Sequence, residues 1–529
     1  MRMTQHKREQ QEDLGAPGRI WFWLGPLVYM LVVSIYFLGR FEGHWAESDS
    51  ASFTRYIRVF AEQGRLIPVA NDVYPNGYAY QAISTFVVSL TGLKVDVLQQ
   101  WIYPLIAALV VFPAWVLYRE VTGSDRGAAL ATMLLFTQPE FLFVLLRSSH
   151  EKFTRSLMLL CLFLLVRCFK LGNQPGKWAV FVGLSYLSGY ALISSNNLLA
   201  NSFFFAIALA FLIGWLLTKY SPSFQKYEFI LKRLFYSTLI FFGLSYIFTI
   251  YIYAPPALHD LAVLGDIKNR IAALFLDVHT EPTNAYAQVS VAWVNLRIYF
   301  LLSIANWILL GVSLLIWLKQ GWNWLWMFRE PKNSVAWFLW LLYAAFALQG
   351  ALTVLVDASG ALASNLQHRI FPSFSMIAVA IVGQTLVEWR PHRLTRAIPL
   401  GLTGIIFSIS ILSVLKATNE PLVSNKWTFY HPNELAALQW GDEHLDDVEI
   451  WTEYDERLIT AYRTVNEDIN NRFTTSATSA TRDMLITNLT RLRSSRIRQP
   501  LPVPPDALQV YDNGIAQLYH LRPETPYQR

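Results

Sequence analysis

Apolar stretches recur along the chain at near-regular spacing, each close to the ~20 residues a helix needs to cross a bilayer. They fall near residues 20–38, 98–118, 127–146, 154–171, 177–193, 199–218, 233–254, 296–317, 334–356, 371–387 and 396–415, roughly eleven predicted spans. The polar segments between them alternate in character. One set is basic: Arg2, Lys7, Arg8 and Arg19; Arg119 and Arg126; Arg167, Lys170 and Lys177; Lys219, Lys226, Lys232 and Arg233; Lys319, Arg329 and Lys332; Arg390, Arg393 and Arg396. Basic loops stay on the cytoplasmic side, so the other set, 39–97, 147–153, 194–198, 255–295 and 357–370, faces outward. An odd number of spans also leaves the C-terminal tail outside.

That tail changes pattern. Asn433–Trp440 has a short helical spacing, and Val448–Thr452 and Met484–Thr487 read as strands. Leu508–Tyr511 and Ile515–Tyr519 flank Asp512-Asn513-Gly514, and Asn-Gly supplies the positive φ angles of a hairpin turn. The fold expected is an α-helical polytopic membrane protein with a small C-terminal α/β extracytoplasmic domain. Its parts are a cytoplasmic N-terminal tail (1–19), a transmembrane domain (20–416) and the extracytoplasmic domain (417–529). No internal repeats are visible.

Composition agrees. The chain is 54% hydrophobic and 15% charged, against ~25% charged for soluble domains. The net charge of +6 follows from topology and does not imply nucleic-acid binding. Cys161 and Cys168 are seven apart on one helical face, which implies no disulfide framework. The polar, basic first 19 residues precede a span without a small-residue cleavage site, which reads as a retained helix. No Cys/His zinc spacing and no Gly-rich phosphate loop is present.

Candidate chemistry concentrates in the outer loops. After the first span come Glu47-Ser48-Asp49-Ser50 and an amphipathic helix, with Phe53, Ile57, Phe60 and Ala61 on one face and Gly64 as its stop. Such a helix is expected on the membrane interface. Asp49 falls at its N-terminus, where the helix dipole favours a carboxylate; it is either a cap or a functional acid. Further on, Tyr74-Pro75-Asn76-Gly77 has tight-turn composition and either lines a pocket or simply connects. The second outer loop, Arg147-Ser148-Ser149-His150-Glu151-Lys152, puts ionisable groups at a helix junction, where they must face water or a cavity. Arg147 and Lys152 suit phosphate, or else anchor the interface. Near the tenth span, Gln367-His368-Arg369 places a guanidinium on the side where basic residues are scarce. The loop 255–295 holds a short Ile271–Leu276 helical run suited to gating. Its Asp277, His279 and Glu281 are potential metal ligands without a second cluster.

An acidic pair after span one, an amphipathic helix, a Tyr-Pro-x-Gly turn and an Arg-Ser…acid loop resemble the GT-C superfamily of membrane glycosyltransferases. The resemblance is most specific over residues 20–160. Arg147-Ser148 followed by Glu151 is similar in layout to the second outer loop of oligosaccharyltransferase catalytic subunits, with Glu where those usually have Asp. Protein mannosyltransferases and lipid A aminoarabinose transferases share the general plan. The resemblance implies transfer of a sugar from a polyprenyl-phosphate-linked donor to a lipid, glycan or protein acceptor. It also implies a multi-pass protein of the plasma (cytoplasmic) membrane with an extracytoplasmic site. On this reading Asp49 is the general base, Glu47 and Glu151 support it, and Arg147, His150, Lys152, Tyr74, His368 and Arg369 bind substrate. Attack would invert the anomeric centre. Asp49 and Glu151 are candidate ligands of Mg²⁺ or Mn²⁺, hard cations that suit carboxylates. The tail lacks the Trp-Trp-Asp-Tyr-Gly motif of oligosaccharyltransferases, and Trp440-Gly441-Asp442 does not replace it, which favours a monosaccharide transferase over peptide N-glycosylation. The competing classes are a transporter or lipid-linked-sugar flippase, and a catalytically inactive assembly subunit on the same scaffold.

Overall fold

The computed structural model describes residues 16–43, 48–67, 77–220, 222–275, 296–327, 333–359, 366–388, 397–418, 431–445, 450–451, 455, 473–474, 483–497, 501, 503 and 505–520. Every apolar stretch read from the sequence is helical in it. Among the described residues, eight helices are long and apolar enough to cross a membrane. In chain order the helices that matter here begin with α1 (Ala16–Phe41), α2 (Ser48–Gln63) and α3 (Ala79–Thr91). The long span α4 (Val95–Thr122) follows, then α5 (Asp125–Phe136), α6 (Pro139–Leu146), α7 (Glu151–Lys170), α8 (Pro175–Ser195), α9 (Asn197–Tyr220) and α10 (Glu228–Ile252). The bundle is completed by α11 (Pro255–Phe275), α12 (Leu296–Leu302), α13 (Ile304–Gly321), α14 (Ser334–Ala358), α15 (Leu366–Glu388) and α16 (Ala397–Thr418).

Some segments depart from straight apolar spans, and each departure has a local cause. The stretch 127–146 is two helices bent by 79°. Pro139 opens α6 and holds Gln138 extended, at φ −85 and ψ 114, because proline disfavours helical geometry in the residue before it. Helix α7 is full length but carries Glu151, Lys152, Arg155, Arg167 and Lys170. The apolar part of α16 is shorter, Gly404–Thr418. The loop expected at 255–275 is instead a continuous helix, α11.

Helix α2 forms as the spacing predicts and stops at Gly64, whose φ of +62° suits a glycine. Its apolar face does not lie free on the interface. Phe53, Ile57 and Phe60 are buried, and Phe53 and Ile57 pack with Tyr80, Leu98 and Tyr103 of α3 and α4. Arg58 on the other side pairs with Asp96 at 2.7 Å. Burying two or three such side chains stabilises by about 1.5–3 kcal/mol each, which fixes the helix, and Asp49 with it, on the bundle. The main core runs through α4, α5, α7, α9, α14 and α15, where Phe169, Phe211 and Phe338 stack nearly parallel.

The C-terminal segment folds as a five-stranded sheet of order β2-β1-β3-β5-β4. Its strands are β1 (Ile450–Trp451), β2 (Phe473–Thr474), β3 (Asp483–Thr487), β4 (Leu508–Asp512) and β5 (Ala516–His520). The β4–β5 hairpin turns at Asn513-Gly514, with Gly514 at φ +83°. Helix α17 (Pro432–His444) starts at a capping box between His431 and Glu434. It packs Ala437 and Leu438 against Leu485, Ala516 and Leu518. Helix α18 (Asn488–Ile497) and strand β2 were not anticipated; α18 has little apolar periodicity to reveal it.

Candidate functional site

Two backbone junctions converge at one end of the bundle. Ser50, in the first turn of α2, accepts the backbone N–H of Ser148 at 3.1 Å, and Ser148 Oγ donates to the Gln99 carbonyl of α4. The α6–α7 junction is thereby stitched to the start of α2. Arg147, extended at ψ 147, projects between the two. Its Nη1 lies 3.1 Å from Asp49 Oδ2 and its Nη2 2.5 Å from Glu151 Oε1. One guanidinium therefore bridges two carboxylates, one nitrogen to each, which its several fixed N–H donors allow. Asp49 is the open partner, with its side chain 46% exposed, while Glu151 is buried at 5%.

Below this bridge lies Arg155, fully buried one turn along α7. It is 3.9 Å from Glu151 Oε2, and donates to Ser373 Oγ at 2.7 Å and to the Arg369 carbonyl at 2.6 Å. Arg155 thus ties the start of α15 to α7. The positive charge of half-buried Arg369 is felt at His150 and Glu151, and Arg369 makes no ion pair among the described residues. His150 is buried, and Asn196 fixes its state. Asn196 Oδ1 accepts the Leu199 N–H at 3.0 Å, so its Nδ2 is the atom that faces His150 Nε2. The imidazole accepts there and carries its proton on Nδ1. Burial pushes its pKa down to about 3, with Glu151 opposing that shift and Arg147 adding to it, so it stays neutral. Lys152 is buried with Nζ 5.3 Å over the Tyr103 ring.

Glu140 and Lys416 escaped the sequence reading. They sit 276 residues apart and pair at 2.6 Å, both nearly buried. His368 Nδ1 is 3.8 Å from the same Glu140 oxygen, and Lys416 lies 4.5 Å over Tyr299. Glu140 lies inside an apolar run of the sequence, and the bend at Pro139 turns it towards α15 and α16. The structure therefore brings together Asp49, Arg147, Glu151, His150 and Arg369, places His368 on the adjoining Glu140 pair, and sets Lys152 beside α4. Glu47, Tyr74, Asp277, His279 and Glu281 lie outside the described residues.

No group of three or more metal-ligating His, Cys, Asp or Glu occurs among the described residues. Arg147 already occupies the space between Asp49 and Glu151 and shares its one positive charge between them, with Arg155 a further 3.9 Å from Glu151. In this arrangement the two carboxylates hold a guanidinium, and a divalent ion would require Arg147 to leave.

Against the same junction lies an apolar cavity of ≈ 550 Å³, lined by Tyr80, Phe112, Val116, Phe153, Leu157 and Phe163 among others. Phe153 and Leu157 belong to the α7 turns that follow Glu151, and Tyr80 bonds Gln99, whose carbonyl receives Ser148. Phe153, Ser156, Leu157 and Leu160 line the cavity from one face of α7, while Glu151 and Arg155, a turn apart, lie on the other.

Fold and site together define a polytopic helical membrane protein with an ion-paired acid and arginine cluster beside an apolar cavity. No protein-family model and no curated protein matches the chain. Among solved structures it is similar to the Archaeoglobus fulgidus oligosaccharyltransferase tethered with an acceptor peptide. That match has 14% identity and a TM-score of 0.48, and covers 86% of this chain and 60% of that one. It is also similar to the same organism's oligosaccharyltransferase AglB in complex with an inhibitory peptide and a dolichol-phosphate, at 10% identity and TM-score 0.46 over 86% and 61%. A third similarity is to ArnT from Cupriavidus metallidurans bound to undecaprenyl phosphate, at 12% identity and TM-score 0.37 over 96% and 98%. The chain spans about 60% of the length of the archaeal structures it matches. The assignment of site residues rests on this chain's own geometry.

Proposed function

We propose that the protein is a membrane glycosyltransferase that moves a sugar from a polyprenyl-phosphate-linked donor to an acceptor hydroxyl at the outer face of the membrane. The observation that carries this reading is the Asp49–Arg147–Glu151 bridge at the start of α7, with an apolar cavity along the opposite face of the same helix that has room for part of a lipid tail. The acceptor O–H gives its proton to Asp49, the more exposed carboxylate. The acceptor atom bonds to the anomeric carbon, and the bond from that carbon to the phosphate oxygen breaks, its electron pair leaving with the phosphate. General-base help of this kind is typically worth about 10²–10⁴-fold. Attack opposite the leaving group inverts the anomeric centre.

Arg369, half-buried and without a carboxylate partner among the described residues, is suited to the leaving phosphate, since preorganised cations act where charge develops. Glu151 holds Arg147 in place from the buried side. Acids gathered at helix ends favour this reading over a transporter, whose ionisable groups usually sit in broken spans near the midplane.

The test is turnover of polyprenyl-phosphate sugars by membranes carrying the wild type, Glu151→Gln or Arg369→Gln. We expect Arg369→Gln to raise the donor KM at least tenfold and Glu151→Gln to lower kcat. Wild-type kinetics in both variants would remove this cluster from the reaction.

A further inference from the structure

Helix α11 lies across the end of the bundle that carries the site, held at two points. Its far half packs Ile267 and Ile271 on Val356 of α14 and on Leu366 and Ile370 of α15. His368 and Arg369 stand between those last two residues, so α11 clamps the turn that presents them. Its near half is held by Asp260, only 2% exposed. Asp260 Oδ2 accepts Asn197 Nδ2 at 2.8 Å and Asn201 Nδ2 at 2.9 Å. Asn197 Nδ2 also reaches the Pro256 carbonyl at 3.3 Å.

Asp260 Oδ1 and Asn201 Oδ1 are both buried and carry no hydrogen bond among the described residues. Both are acceptors, and a buried acceptor left without a donor costs about 1–3 kcal/mol. One proton resolves both. A neutral carboxyl donating from Oδ1 to Asn201 Oδ1, while Oδ2 accepts Asn201 Nδ2, closes a two-bond acid–amide ring.

We propose that Asp260 and Asn201 form a protonation-controlled latch: the neutral acid closes the ring and pins α11 to α9, and the ionised acid opens it and loosens α11 over the His368–Arg369 turn.

Among the described residues no charged side chain pairs with Asp260. α9 presents only the two asparagines. α10 presents Tyr246, whose hydroxyl accepts Asn201 Nδ2 at 3.5 Å, and Tyr253 lies in the connection to α11. α14 meets α11 at the far end, where Asp357 is held by the backbone amides of Leu366 and Gln367. On α11 itself His259 is adjacent, Asp266 pairs with Arg270 at 2.9 Å, and Lys268 is exposed. Burial pushes the Asp260 carboxyl up to about 6, against the lowering effect of the Asn201 bond. An acid raised in the latched state binds its proton more tightly there. The latch is therefore closed at low pH and lost as pH rises through about 6. With an ordinary value of ~3.9 once released, the latched-to-open ratio falls about tenfold between pH 5 and pH 8.

The experiment is hydrogen–deuterium exchange on the purified full chain in nanodiscs at pH 5 and pH 8, corrected for the intrinsic pH dependence of exchange. The latch predicts about tenfold lower protection of the 257–266 amides at pH 8 than at pH 5 in the wild type. Asp260→Asn, whose amide makes the same ring at every pH, should keep high protection at both. Asn201→Leu should give low protection at both and serves if Asp260→Asn does not fold. Equal protection at the two pH values in the wild type, or an unchanged step in either variant, overturns the latch. The readout does not depend on sugar transfer, so its failure leaves the proposed activity standing and the reverse also holds.

Discussion

Replacing Arg147 by Met separates the two carboxylates it bridges. Glu151, 5% exposed, loses its 2.5 Å partner and keeps Arg155 at 3.9 Å as its remaining ion pair among the described residues. Breaking a buried pair from one side costs about 3–5 kcal/mol. Protonating Glu151 offers an escape, and from the ordinary carboxylate value that costs about 4 kcal/mol at pH 7 and about 1 kcal/mol or less at pH 5. The expected loss is therefore about 3–4 kcal/mol at pH 7, shrinking by about 2–3 kcal/mol at pH 5. Asp49 behaves differently, because at 46% exposure its half of the bridge is solvated and contributes about 0–1 kcal/mol. Asp49→Asn should thus leave stability within about 1 kcal/mol of wild type. The assay is equilibrium unfolding in detergent followed by tryptophan fluorescence, with Arg147→Met, Asp49→Asn and the double variant Arg147→Met/Glu151→Leu at both pH values. The double variant should recover most of the loss. Wild-type stability in Arg147→Met, or equal losses in Arg147→Met and Asp49→Asn, would refute the assignment of Glu151 as the buried partner.

Two other expectations follow from the packing. Glu140→Gln or Lys416→Met, each removing one side of a buried 2.6 Å pair, should cost about 3 kcal/mol singly and less together; additive losses in a double-mutant cycle would show that the two side chains do not interact. Gly77→Ala would set a Cβ 2.6 Å from the Ser195 carbonyl oxygen, beside the point where the Tyr78 N–H bonds Ser194 at 3.0 Å. Backbone oxygen cannot rotate away, so we expect about 1–3 kcal/mol of destabilisation and weaker protection of the adjoining Asn196–Asn197 amides in hydrogen exchange; an unchanged unfolding midpoint would contradict this packing.

Much of the helical fold is legible in the sequence, because bilayer-length apolar runs are local signals and each of them is helical. Asp49, Arg147 and Glu151 could be picked out for a related reason: they are ionisable residues at the ends of apolar segments, positions that also suit a helix cap or an interfacial anchor, and the structure brings the three together. The hairpin at Asp512-Asn513-Gly514 was equally local, and so was the Gly64 stop of α2. What stayed hidden depends on tertiary contacts. Glu140 finds Lys416 across 276 residues, through a bend that only Pro139 hints at. Arg155 reads as one more base on a helix until its partners, Ser373 and the Arg369 carbonyl, are seen. The apolar face of α2 suits a membrane interface and a protein groove equally; the aromatic surface of α3 and α4 decides for the groove. The asparagines that orient His150 and hold Asp260 carry no sequence signal, since amides at helix starts are commonplace.

The central claim is that Asp49 takes a proton during sugar transfer. The measurement that tests it most directly uses purified wild type and Asp49→Asn in proteoliposomes with a labelled polyprenyl-phosphate sugar, following donor binding and release of polyprenyl phosphate in the same samples. The account predicts equal donor binding and a fall in release of at least 10²-fold in Asp49→Asn. Release at the wild-type rate, or movement of intact donor across the membrane with no bond cleaved by either protein, would contradict it.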